Sequence, residues 1–121
     1  MYRLAAERMT VAGARHLTDL LNLSHSVDDP IETSVKAAER EFALAEMARN
    51  PFLTMVHMVA VRFLTNLVPF ELMTDERRVQ RAKRQMNQVV RNVIAGDAAA
   101  AQRHSAAFNT EMVKRLREWR A

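Results

Sequence analysis

The chain has 121 residues, a formal net charge of +4, two glycines, three prolines and no cysteine. That length suits one domain with its own hydrophobic core, and without cysteine there are no disulfides, thiolate metal sites or thiol nucleophiles. Scarce Gly and Pro beside abundant Ala, Leu, Met, Arg and Glu make the composition of an all-helical domain.

The opening decapeptide MYRLAAERMT carries charge where a signal peptide needs an apolar core, and no apolar run is long enough to cross a bilayer. A cytoplasmic location without membrane contact is the expectation. Residues 2–9 read as a helix. Thr10 is placed to cap a second helix, VAGARHLTDLLNL, whose Val11, Ala14, Leu17 and Leu21 share one face. SHSVDDP, 24–30, reads as a loop, and a third helix is expected from about Ile31 to Arg49.

Asn50-Pro51 is a corner. Proline disfavours the helical conformation in the residue before it, yet fits the first turn of a new helix. The helix from Pro51 to about Val68 is apolar nearly all round, which predicts a central, buried position. Pro69 stops or kinks it. Thr74 is the expected cap of a fifth helix, with Asp75 and Glu76 suited to its N-terminus. That helix carries Val79, Ala82, Met86, Val89 or Val90, and Val93 on one face. Gly96 ends it and Asp97 caps the last helix, whose Ala101, Ser105, Phe108, Met112, Leu116 and Trp119 form its inward stripe. The reading is an all-α, antiparallel bundle of about six helices.

Three segments, RLAAERMT near the start, ALAEMARNPFL at 43–53 and VIAGDAAAAQ at 93–102, follow one another in the order and approximate spacing of the FCD domain. The chain therefore resembles the effector-binding C-terminal domain of the FadR subfamily of GntR-type transcription regulators, over nearly its whole length. The resemblance implies a helical bundle around a small-molecule pocket, homodimerisation, and DNA contact only through an N-terminal winged-helix domain. Nothing in the sequence offers the strand-rich wing. Residues 1–121 accordingly read as a single effector-binding and dimerisation domain, a fragment of a longer regulator.

Many members of the resembled family hold a divalent metal with an Asp and three His. Counted from Asn50-Pro51 and from Gly96-Asp97, those positions fall at Ala37, Glu41, Met86 and Phe108. Met and Phe do not ligate a hard divalent ion, and Glu41 alone cannot hold one. The expectation is a pocket without metal or other cofactor.

Met86 and Phe108 have plain core spacing, and the resemblance adds pocket lining; both hold if the pocket wall is core facing a hole. His104 lies one turn before Phe108 and shares its face. His57 and Arg62 interrupt the most apolar helix. Arg62 either snorkels to the surface or faces inward, where a carboxylate effector suits its planar guanidinium; Asn66, one turn on, can share that role. Glu41 is either solvated or a pocket acid paired with Arg62 or His104. His16 and His25 read as surface or loop residues.

Arg77, Arg81, Arg84 and Arg91 form a row on one helix face, read first as a solvated outer surface. The alternative is a stand-alone interaction protein whose basic helix, 77–91, binds an acidic partner or nucleic acid, although no aromatic residue is interleaved to stack bases. Catalysis is not expected, because the chain has no Gly-rich phosphate loop, no Gly-x-Ser-x-Gly and no close pair of histidines. The reading is a ligand-sensing regulatory domain that takes a small organic acid, with Glu41, His57, Arg62, Asn66, Met86, His104 and Phe108 as the binding set.

Overall fold

The computed structural model describes the backbone of residues 1–25, 30–67 and 76–120, and their side chains apart from 24–25, 30–34, 61–67, 79, 116, 119 and 120. Within these residues there are six helices and no strand: α1 (Tyr2–Glu7), α2 (Val11–His25), α3 (Pro30–Met47), α4 (Pro51–Leu67), α5 (Glu76–Ile94) and α6 (Ala98–Arg120). The all-α bundle is as expected. Helix α2 continues through Ser24 and His25, which the sequence assigned to a loop, and α3 begins on Pro30, a residue well suited to a first turn. The proposed stop at Pro69 and cap at Thr74 lie outside the described residues.

Local chemistry sets the helix ends. Thr10 Oγ1 accepts the Gly13 N–H at 3.0 Å, the expected cap of α2. The Asn50 side chain accepts the Leu53 N–H at 3.2 Å and so caps α4, while Thr54 donates its hydroxyl to the carbonyl oxygens of Ala45, at 3.2 Å, and Asn50, at 3.1 Å. Helix α3 closes with Arg49 in the left-handed region at φ 51°. The Arg8 guanidinium, reaching from the end of α1, donates to the carbonyl oxygens of Ala48 and Arg49 and satisfies groups that a helix terminus leaves open. At the other corner Gly96 adopts φ 71°. Its N–H bonds to the Val93 carbonyl at 3.0 Å and the Asp97 N–H to that of Asn92 at 2.9 Å, the paired bonds of a glycine-closed helix end. Asp97 Oδ1 then accepts the Ala100 N–H at 3.1 Å and starts α6.

The core joins Ala5 and Ala6 of α1, Leu17 and Leu21 of α2, Ala43, Leu44 and Ala48 of α3, Val90 and Val93 of α5, and Ala101 of α6. The short α1 is its hub, packing against α3, α5 and α6. Alanines at 5 and 6 let three helices approach one six-residue segment closely, which a larger side chain would prevent. The inward valines of α5 at 89, 90 and 93 are fully buried, and its row of arginines at 77, 81, 84 and 91 is exposed, as the periodicity predicts.

Two further expectations fail. Val11, assigned to the inner face of α2, is 81% exposed in that helix's first turn. More consequentially, α4 is not central. Its principal neighbour among the described helices is α3, and Phe52, Met55, Val56, Met58 and Val59 are all substantially exposed. An apolar circumference shows that a helix has surface to bury; it does not show that the partner lies in the same chain.

Candidate functional site

Glu41 lies on α3, nine residues before the Asn-Pro corner, and the antiparallel return of α4 brings His57 beside it. Tyr2, on the first turn of α1, completes the approach from a third helix. The Tyr2 hydroxyl donates to Glu41 Oε2 at 2.7 Å, and His57 Nε2 lies 3.0 Å from the same oxygen. Arg40 Nη2 stands 3.8 Å from Glu41 Oε1. The four groups come from α1, α3 and α4, and the Arg40 and Glu41 side chains are only 10% and 12% exposed.

Burial, and then the negative charge of Glu41 and its hydrogen bond, push the Tyr2 hydroxyl far above the usual tyrosine range; Arg40 opposes this with a smaller effect. Tyr2 is therefore a neutral hydrogen-bond donor to Glu41. Two polar atoms in the cluster remain unspent. Arg40 Nε has no hydrogen-bond partner. His57 Nε2, although close to the carboxylate, is off the line that a hydrogen bond requires and is equally unsatisfied. Nearly all buried polar atoms in folded proteins are paired, so Arg40 Nε and His57 Nε2 are exceptions in this fold.

Of the residues singled out in the sequence, Glu41 and His57 are brought together here. Arg62 and Asn66 lie further along α4, and their side chains are outside the described residues. Met86 is buried on α5, and Phe108 is half-buried on α6; these two helices pack against each other, and both also pack against α1. His104 is exposed, with Nδ1 2.6 Å from Asn92 Nδ2. Sequence reasoning missed Tyr2 and Arg40. Nothing local links Tyr2 to a residue 39 positions away. Arg40 was legible: with Leu44 and Ala48 it forms an i, i+4, i+8 row on the buried face of α3.

Ala37, Glu41, Met86 and Phe108 stand at the positions to which the family resemblance assigns metal ligands. Their donor chemistry does not fit a divalent ion, since only Glu41 offers oxygen and that carboxylate already receives Tyr2. Among the described residues no three His, Cys, Asp or Glu side chains are grouped to hold an ion.

The structure is thus an all-helical bundle with a partly buried polar cluster between α1, α3 and α4. The FCD domain family matches residues 1–110, and the chain belongs to it. It is thus a regulatory, effector-binding domain of the kind found in GntR-type regulators. No curated protein and no solved structure matches the chain. No described helix is long and apolar enough to cross a membrane.

Proposed function

We propose that the domain senses a small organic acid in a pocket without metal, within a FadR-type cytoplasmic regulator that contacts DNA through a separate winged-helix domain. The observation that carries this reading is the cluster of Tyr2, Arg40, Glu41 and His57, with two unspent donors held out of water beside a carboxylate. In relatives that bind metal, the ion supplies the positive charge for an acid. Here Arg62, with Arg40 and His57, takes that part; Asn66 and His104 add hydrogen bonds, and Met86 and Phe108 form the apolar wall. Binding regulates only if the acid has different affinity for two arrangements of the bundle.

The exposed stripe of α4 supports assembly as a homodimer. Phe52, Met55, Val56 and Val59 fall at i, i+3, i+4 and i+7, the spacing of a continuous helical contact face.

Thermal-shift screening against organic acids, with Arg62→Ala beside the wild type, tests the pocket. One charge-assisted hydrogen bond contributes about 1.5–3 kcal/mol, so the variant should bind the acid roughly 10- to 150-fold more weakly. Equal stabilisation of both proteins by the same acid would remove Arg62 from the site.

A further inference from the structure

At the end of the α5–α6 hairpin away from the Gly-Asp corner lies an open cleft of about 380 Å³, lined by Arg77, Arg78, Arg81, Glu111, Lys114, Arg115 and Glu118. Five cations face two carboxylates there, a net charge of +3. One of those carboxylates is committed. Glu111 Oε1 takes Arg115 at 2.8 Å and Arg81 at 3.2 Å, and its Oε2 accepts the Gln85 amide at 2.6 Å. Glu111 thereby fixes two guanidinium groups from two helices, and Arg115 is held at 15% exposure. Arg77 and Lys114 form no ion pair among the described residues.

We infer that this cleft is a second binding site, separate from the effector pocket, for a compact multivalent anion of the polyphosphate class. A volume of this order suits a small ligand. Every described lining residue is charged, so recognition rests on charge and on the several N–H groups of fixed guanidinium forks, which match phosphate oxygens. A monovalent carboxylate would leave most of the +3 unanswered, whereas a di- or triphosphate answers it within one cleft. Among the described residues no aromatic or apolar side chain lines the site to hold a base or an acyl chain. The ligand is therefore recognised by its phosphates, and tripolyphosphate and a nucleoside triphosphate should bind alike.

Titration calorimetry on the full chain at constant ionic strength tests this, with pyrophosphate, tripolyphosphate, a nucleoside triphosphate and a short DNA duplex as probes. Both inorganic polyphosphates should bind at one site per chain. Arg77→Ala and Lys114→Ala change exposed residues that hold no ion pair, so the fold should persist while tripolyphosphate affinity falls about tenfold in each. Glu118→Gln should act in the opposite sense and tighten binding several-fold. Polyphosphate binding no stronger than that of chloride at equal ionic strength would overturn the inference. So would unchanged affinity in both alanine variants. Tighter binding of the duplex, weakened equally by Arg84→Ala and Arg91→Ala, would replace the small-anion site with a nucleic-acid surface along α5.

Discussion

Gly96 and Arg49 occupy equivalent places at the corners of the α5–α6 and α3–α4 hairpins, each in the left-handed region, with φ 71° and 51°. The first corner is complete in itself: glycine takes the conformation without a Cβ penalty, and Asp97 caps the helix that follows. The second puts an arginine where glycine is favoured and relies on Arg8, from α1, to hold its carbonyl oxygens. The helix faces differ in the same direction. Helix α5 buries its valines and solvates its arginines; Gln85 and Arg81 reach Glu111 across the seam, and Arg115 reaches it from its own helix. Helix α4 leaves an apolar stripe exposed, and the α1–α3–α4 junction keeps two donors unspent. The α5–α6 seam satisfies its buried polar groups within the chain, whereas the α1–α3–α4 junction holds buried nitrogens that do not.

The largest expected effect separates core from stripe. Leu44, fully buried on α3, should cost about 2–5 kcal/mol when cut back in Leu44→Ala, read from urea unfolding. Val59 is 65% exposed on α4, so Val59→Ser should change stability by less than about 0.5 kcal/mol at dilutions where the chain is monomeric. A loss for Val59→Ser as large as that for Leu44→Ala would mean that α4 is buried in the monomer after all.

The corners should respond with opposite signs. Gly96→Ala places a Cβ in the left-handed region and should destabilise by about 1–2 kcal/mol. Arg49→Gly removes that penalty at the other corner and should stabilise, by less than about 1 kcal/mol because glycine also loosens the unfolded chain. Thermal denaturation of the two variants measures both, and equal signs would break the comparison.

Helix ends were legible in the sequence because capping is local: Thr10, Asn50-Pro51 and Gly96-Asp97 each act within four residues. The inward face of α5 was legible for a similar reason, since periodicity fixes which side chains share a side. What a face packs against is not local. The apolar α4 read as central, while the true hub, α1, escaped notice because two alanines carry no strong hydrophobic signal. The site divides in the same way. Glu41 could be placed by counting back from Pro51, but its bond to Tyr2 depends on how α1 lies across α3. Arg8 at the Asn-Pro corner is hidden for the same reason, 40 residues from Ala48.

Titration should sharpen the contrast with smaller effects. Tyr2, the only tyrosine, keeps its proton in the folded chain at pH values where the unfolded chain loses it. Its contribution to stability is therefore complete below the ordinary value of 10.0 and declines as pH rises beyond it. Tyr2→Phe should flatten that alkaline decline, and phenolate absorbance should stay absent until the chain unfolds. The opposite limb belongs to the other hairpin. The Gln85 hydrogen bond, followed by Arg115 and Arg81, holds Glu111 below the ordinary carboxylate value of 4.5. Its contribution is present above that value and is lost as pH falls through the folded one. Glu111→Gln should remove this part of the acid decline. The effect should be the smallest of the set and shrink with added salt, because the side chain is 24% exposed.

The central claim is that this domain holds an organic acid with side chains where many relatives use a metal, and titration calorimetry after exhaustive chelation tests it most directly. An acid found by screening should bind the chelated wild type as tightly as the untreated protein, and Arg62→Ala should lose roughly 10- to 150-fold in affinity. Binding that vanishes on chelation and returns with a divalent ion would contradict the account.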